Sequence, residues 1–162
     1  MLDGLVDIYL PDFKYYDDAL AKRYSNAPGY FHIASRAIDE MFRQVGEPQF
    51  GEDEIMQKGI IIRHLILPGC SEDSRKIIRY LYEKYGDAVY LSIMNQYTPV
   101  GDLSDFPELT RKVTDEEYDN VVDYAIELGV ENAFIQEGDT AEESFIPDFN
   151  EWNPEEFLGN DV

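Results

Sequence analysis

The feature that most constrains the fold is the apolar run from Gly59 to Gly69, which closes in Pro68-Gly69. Its β-branched residues and its lack of apolar–polar alternation predict a central strand that is buried on both faces. Arg63 and His64 interrupt this run. Because an unpaired buried charge is very costly, we expect Arg63 to meet either a structural carboxylate or a ligand. His64, a single histidine in an apolar strand, is expected to be hydrogen-bonded in the core.

Charge and composition limit the function classes. The chain has 162 residues, enough for one domain, and a net charge of −21. A surface this negative excludes nucleic acid and anionic lipid as primary partners, and no apolar run is long enough to span a bilayer. The lone Cys70 makes a reducing cytoplasm the expected compartment. One cysteine and two histidines cannot build a structural zinc site, so no metal ligands are predicted.

Periodicity along the chain predicts alternating strands and helices. The predicted strands are 5–10, 59–69, 88–97 and 132–136. The predicted helices are 17–23, 28–45 and 71–84, the last with Ser71 as its N-cap. A further helix is predicted to start at a capping box, Thr114–Glu117, and to end at Gly129. Such β-α-β alternation predicts an α/β domain with a parallel sheet and right-handed crossovers, as a small open sheet or part of a barrel. Residues 1–136 form this unit. Residues 137–162 are expected to be an acidic, partly disordered tail.

Polar residues follow the predicted strands, where ligands of parallel sheets bind. Spacing alone favours Asp12 and Lys14 as a solvated ion pair over a lysine that grips a ligand carboxylate or ribose hydroxyls. The polar segment 95–97 can hydrogen-bond either an aromatic base or the loop backbone. Cys70 has the character of a small loop residue. The chain has no glycine-rich phosphate loop, GxSxG elbow, HExxH or CxxC motif, so these residues alone predict only a ligand-binding βα unit.

Four of these segments together resemble radical SAM proteins. They are residues 6–14 (VDIYLPDFK), 23–25 (RYS), 62–69 (IRHLILPG) and 92–99 (SIMNQYTP). More narrowly, the chain is similar to the uncharacterised branch related to pyruvate formate-lyase activating enzymes, over roughly residues 5–136. The resemblance implies the C-terminal half of a partial (β/α)6 TIM-like barrel. It also implies a 4Fe-4S cluster that reductively cleaves S-adenosylmethionine, giving a 5′-deoxyadenosyl radical that removes hydrogen from a glycine of a partner protein or from another substrate.

The resemblance assigns cofactor-binding residues one by one. Asp12 and Lys14 match the D-x-K strand end beside the methionine and ribose of S-adenosylmethionine, and Arg63 matches an arginine that also contacts the cofactor. The base-contacting position falls at Tyr97 or Thr98, where activating enzymes have a histidine and this chain does not. No catalytic residue is assigned.

The chain also departs from the family pattern. A cluster needs three thiolates in a CxxxCxxC loop, whereas the chain has one cysteine, and the family's glycine-rich segment is missing. We therefore expect a C-terminal part that retains no cofactor and is inactive alone. The alternative is a stand-alone acidic βα module that acts through protein pairing, without catalysis. In either case the open sheet edge predicts a homo-oligomer.

Overall fold

The structure is a computed structural model that describes residues 2–136. The predicted tail, 137–162, lies outside the described residues. In chain order the elements are β1 (Ile8–Tyr9), α1 (Asp18–Ser25), α2 (Tyr30–Val45), β2 (Gln49–Phe50), β3 (Met56–Leu65), α3 (Ser71–Tyr85), β4 (Tyr90–Met94), α4 (Asp115–Leu128) and β5 (Ala133–Ile135). Short 3-10 turns occupy Gly86–Ala88 and Pro107–Leu109.

The predicted parallel α/β arrangement is confirmed. Strands β1, β3, β4 and β5 are neighbours in that order, and each pairs in parallel with the next. Helices connect each strand to its neighbour, as a βα repeat requires. Strand β2 lies between the predicted helix 28–45 and the predicted strand 59–69, where no strand was predicted, and it pairs antiparallel with β3.

Within residues 2–136, helices pack against one face of the sheet, so the prediction of a central strand buried on both faces is wrong for this part of the chain. Burial alternates along β3. We call the first side the helix-covered face; on β3 and β4 it consists of Ile60, Ile62, His64, Leu91 and Ile93, all buried. We call the second side the open face; on the same strands it consists of Ile61, Arg63, Leu65, Tyr90, Ser92 and Met94, all half-exposed.

A single core cluster joins the helix-covered face to three helices. Ile38 of α2, Ile77 of α3 and Val121 of α4 each retain at most 2% of their surface and belong to this cluster. The helices therefore lie on the same side of the sheet. The apolar run did not reveal this, because Ile61 and Leu65 on the open face are as apolar as the residues on the helix-covered face, although they lack a covering layer within residues 2–136.

Helix ends follow the predicted local chemistry more closely than strand ends. Helix α2 ends at Gly46, and the capping box of α4 forms between Thr114 and Glu117. The predicted N-cap at Ser71 is wrong, because Ser71 is the first helical residue of α3 and Cys70 occupies the cap position. Strands β1 and β4 are shorter than predicted, because a strand extends only where a neighbour pairs with it.

Gly59 occupies a backbone conformation in β3 that other residues rarely adopt. Its φ is 145°, and a Cβ added there would lie 3.2 Å from Pro48 Cα. We expect Gly59→Ala to lower the free energy of unfolding by about 1–3 kcal/mol, since both strain and contact oppose a side chain. Urea unfolding measures this loss, with Lys58→Ala as the neighbouring control. Equal stability of both variants would contradict the expected strain.

Among the described residues, no helix combines the length and apolar character needed to cross a membrane.

Candidate functional site

The ends of β1 and β3 are held side by side by backbone hydrogen bonds. The Arg63 N–H donates to the Pro11 carbonyl and the Phe13 N–H donates to the Arg63 carbonyl, both at 2.8 Å. Asp12 and Arg63 form a parallel bridge, so their side chains share one face of the sheet. That face is the open face, because Arg63 lies on it.

Three charged side chains meet at this point. Asp12 Oδ1 lies 2.6 Å from Arg63 Nη2, and Asp12 Oδ2 lies 3.7 Å from Lys14 Nζ. We call Asp12, Lys14 and Arg63 the Asp12 cluster. Arg63 thus meets a carboxylate, one of the two partners that the sequence left open, and Asp12 lies close to Lys14 as expected. With two cations and one anion, the Asp12 cluster is locally basic in a strongly acidic chain.

The Asp12 cluster retains capacity to bind a ligand. Its side chains are 34% (Asp12), 47% (Lys14) and 43% (Arg63) exposed. Ion pairs as exposed to solvent as these contribute only about 0–1 kcal/mol to the stability of the fold. The contact between Asp12 and Arg63 is ionic without a directed hydrogen bond. Among the described residues, Arg63 Nε and Asp12 Oδ1 are buried atoms with no hydrogen-bond partner. A small shift of the guanidinium would let Arg63 donate to a ligand oxygen.

His64 supports the strand end from the opposite face. Its Nδ1–H donates to the Phe13 carbonyl at 2.8 Å, which confirms the expected hydrogen-bonded core histidine. This bond fixes the proton on Nδ1, and within residues 2–136 the buried Nε2 has no partner. Burial lowers the pKa of His64 to about 4, so the ring is neutral at pH 7. His64 thus positions the backbone between Asp12 and Lys14.

Tyr30 is a supporting residue that sequence reasoning missed. Its hydroxyl donates to the Asp12 carbonyl at 3.2 Å and accepts from the Lys14 N–H at 2.9 Å. Burial raises the pKa of Tyr30, which keeps the hydroxyl protonated. No motif or spacing could have found it, since Tyr30 starts a helix well separated from β1 in sequence. Tyr30 and His64 together hold the backbone of the Asp12 cluster.

Tyr97 and Thr98 follow β4, beyond the Asp12 cluster along the sheet edge. The Tyr97 hydroxyl donates to the Leu109 carbonyl at 2.8 Å, and its ring packs against the core. Burial raises the pKa of Tyr97. Thr98 is half-exposed. The structure does not bring either side chain into contact with the Asp12 cluster, so the five predicted cofactor-binding residues divide into one cluster and a separate pair.

Cys70 does not have the surroundings of a reactive thiol. It is half-buried in front of α3, and burial, with Asp73 nearby, raises its pKa. Within the described part of the chain, no group of three or more His, Cys, Asp or Glu residues could hold a metal ion.

One relative was found among known proteins. The chain is 30% identical over 129 residues to an uncharacterized protein of Methanocaldococcus jannaschii. The aligned region covers 77% of this chain and 33% of that protein. The chain thus spans about a third of the length of that relative. No family model and no solved structure matches the chain.

Proposed function

We propose that this chain is the C-terminal part of a radical SAM enzyme of the glycyl-radical-activating type. The observation that carries the proposal is the Asp12 cluster. It lies where two adjacent parallel strands end, on the open face, with unused hydrogen-bonding capacity. Ligands of parallel α/β folds bind at this end of the strands.

The order of the strands supports a half barrel. In a doubly wound sheet the strand order reverses and helices cover both faces, whereas a barrel keeps consecutive strands as neighbours with all helices outside. This sheet has consecutive neighbours and one helix-covered face. In a barrel its open face would line the interior, and the unpaired edge of β1 would join preceding strands.

The residues present fit S-adenosylmethionine. Arg63 and Lys14 would hold its methionine carboxylate and ribose hydroxyls, with Asp12 orienting both cations through the observed contacts. Tyr97 or Thr98 would contact the base. His64 and Tyr30 would hold the backbone of the Asp12 cluster in place through their hydrogen bonds to Phe13 and Lys14.

The residues present do not fit a 4Fe-4S cluster. The chain has one cysteine, and the pKa of its thiol is raised rather than lowered. The cluster and the electron it delivers therefore belong to a segment outside this chain. The greater length of the relative in M. jannaschii is consistent with such a segment. The resemblance implies a glycyl-radical protein or another molecule as the substrate.

The test uses the native polypeptide, isolated without oxygen. We expect an intact mass well above 18.7 kDa, a CxxxCxxC segment, and reductant-dependent release of 5′-deoxyadenosine. Arg63→Ala and Lys14→Ala should each lower that release about tenfold or more, since charged hydrogen bonds contribute about 1.5–3 kcal/mol. Lys22→Ala is the matched control, because Lys22 is exposed on α1 and contacts Asn26. A native chain that begins at Met1, or unaffected variants, would refute the proposal.

A second candidate is a stand-alone acidic module that pairs with itself or another protein. It is favoured by the free outer edges of β1 and β5 among the described strands. In that case light scattering of the chain should show a stable oligomer, and S-adenosylmethionine should have no effect on it. A stable monomer at all concentrations would count against the second candidate.

A further inference from the structure

A cavity of about 240 Å³ lies in the helix layer, where the segment that follows β1 meets α3. We call it the α3 cavity. Its lining consists of two phenol rings, two cations and one carboxylate: Tyr16, Tyr80, Lys76, Arg79 and Glu83. Helix α3 packs on the helix-covered face, whereas the Asp12 cluster lies on the open face, so the two sites are distinct. The volume is at the small end of the range for ligand sites and matches a ligand of about one ring with an acidic group.

Aromatic rings form one wall of the α3 cavity. The rings of Tyr16 and Tyr80 both contact Phe31, at centroid distances of 4.6 and 4.9 Å. The backbone N–H groups of Tyr16 and Asp17 donate to the two carboxylate oxygens of Asp73, both at 2.9 Å. These bonds fix the segment that carries Tyr16 to the first turn of α3. The wall is therefore an ordered apolar surface on which a planar ring can pack.

Two cations of α3 line this cavity without an ion pair. Within residues 2–136, neither Lys76 nor Arg79 has a carboxylate oxygen at ion-pair distance, although Glu83 lines the same cavity. Asp73, one turn before Lys76, uses its two oxygens for backbone N–H groups. Like charges three residues apart share one side of a helix and repel each other. An anion between Lys76 and Arg79 would relieve that repulsion.

Arg79 is held in place by the buried ring of Tyr124. Its Nε–H donates to the Tyr124 hydroxyl, and its guanidinium carbon lies 5.4 Å from the centroid of that ring. Arg75 lies over the same ring at 4.4 Å but pairs with Glu72. Among the described residues, the two terminal nitrogens of Arg79 have no hydrogen-bond partner. A guanidinium fixed at Nε presents its remaining N–H groups in the planar geometry that carboxylates and phosphates accept.

The remaining polar groups of the α3 cavity restrict the ligand further. Within residues 2–136, the Tyr80 hydroxyl accepts from Lys84 Nζ at 3.0 Å, and its own hydrogen can be donated to a ligand oxygen. Glu83, one turn beyond Arg79, repels a second acidic group at its end of the cavity. The cavity therefore matches a ligand with one acidic group beside the two cations and a planar ring beside the two phenols.

We propose that the α3 cavity binds a small organic anion, namely one planar ring that bears a single carboxylate or phosphate group. The acidic group lies between Lys76 and the terminal nitrogens of Arg79, and the ring packs on Tyr16 and Tyr80. The binding does not depend on S-adenosylmethionine, because the α3 cavity and the Asp12 cluster share no residue.

Amide NMR titration of the full 162-residue chain with phenyl phosphate and with benzoate tests the proposal. We expect saturable shifts at the amides of the cavity residues, with a Kd of about 1 mM or tighter for at least one of the two compounds. The compound that binds more tightly identifies the acidic group as phosphate or carboxylate. Inorganic phosphate and cyclohexanecarboxylate lack an aromatic ring and should bind about fivefold more weakly.

Substitutions assign the binding to particular side chains. Arg79→Gln should weaken binding about tenfold or more, because charged hydrogen bonds to the anion are lost. Lys76→Gln should weaken it about threefold and leaves the contacts with Tyr124 intact, so it keeps the test decisive if the loss of Arg79 disturbs α3. Tyr16→Ala should weaken it about fivefold. Arg36→Gln is the matched control, because Arg36 is exposed on α2 and outside the cavity, and should leave the affinity unchanged.

Three results would overturn the proposal. They are no shifts at ten times the expected Kd, equal affinity for inorganic phosphate, and an equal loss of affinity in Arg36→Gln and Arg79→Gln. Circular dichroism of each variant checks that the fold persists. Release of 5′-deoxyadenosine plays no part in these measurements, so failure of the proposed function would be seen separately.

Discussion

Lowering the pH from 7 to 4 is expected to reduce the free energy of unfolding by about 3 kcal/mol through His64 alone. The folded-state pKa of His64 is lowered to about 4 by burial, against 6.5 for an ordinary histidine. Above pH 6.5 the ring is neutral in both states, and its contribution to stability is fully present. As pH falls from 6.5 to 4, His64 becomes protonated in the unfolded chain but stays largely neutral in the folded chain, so the free energy of unfolding decreases.

The measurement is urea unfolding at steps between pH 7 and pH 4.5. His64→Asn is the informative variant, because an asparagine amide can donate to the Phe13 carbonyl without titrating. We expect its stability to change much less across this interval. His32→Asn is the matched control, since His32 is the other histidine of the chain and is exposed on α2. The lowered pKa values of Glu40 and Glu117, both about 2, act mainly below pH 4.5. If His64→Asn loses as much stability between pH 7 and pH 4.5 as the unaltered chain does, groups other than His64 cause the pH dependence.

Phe13→Ala is expected to lower the free energy of unfolding by about 3–5 kcal/mol, the largest effect of any single substitution considered. Phe13 is fully buried, and its ring contacts those of Tyr30, Phe31 and Tyr80 at centroid distances of 6.2, 5.8 and 6.0 Å. Removing the ring leaves a cavity between the strand end and two helices. Its backbone also receives the His64 hydrogen bond, so the Asp12 cluster should loosen with it.

Chemical unfolding measures the global loss, and hydrogen exchange of the Phe13 and Arg63 amides measures the local one. Phe13→Leu should recover most of the stability because it refills most of the volume. Ile33→Ala removes an apolar side chain that is 66% exposed and should change stability by less than about 0.5 kcal/mol. A Phe13→Ala loss no larger than that of Ile33→Ala would show that the ring does not anchor the strand end.

Much of the fold was predictable because its determinants are local. Gly46 and Gly129 end helices through the backbone freedom of glycine, and the capping box at Thr114 needs only a partner three residues away. The alternation of strands and helices follows from periodicity in the same way. The lengths of β1 and β4 were not predictable, since they depend on pairing with strands distant in sequence.

The candidate site was likewise predictable where it depends on local sequence and unpredictable where it depends on contacts between distant segments. Two-residue spacing placed Asp12 and Lys14 on one side of a strand, and the apolar run around Arg63 required either a carboxylate or a ligand as its partner. Which carboxylate that is, Asp12, depends on the register between β1 and β3. The Tyr30 hydroxyl reaches the strand end only because α2 packs there.

The sequence by itself determined the α/β class, the order of its elements, and the residues able to carry charge into an apolar strand. Those properties follow from side-chain chemistry and from contacts a few residues apart. Tertiary structure alone decided that the helices cover one face of the sheet and that the Asp12 cluster lies on the other. The physical reason is that an apolar run is the same whether one or both of its faces are covered, and only packing between distant segments distinguishes the two.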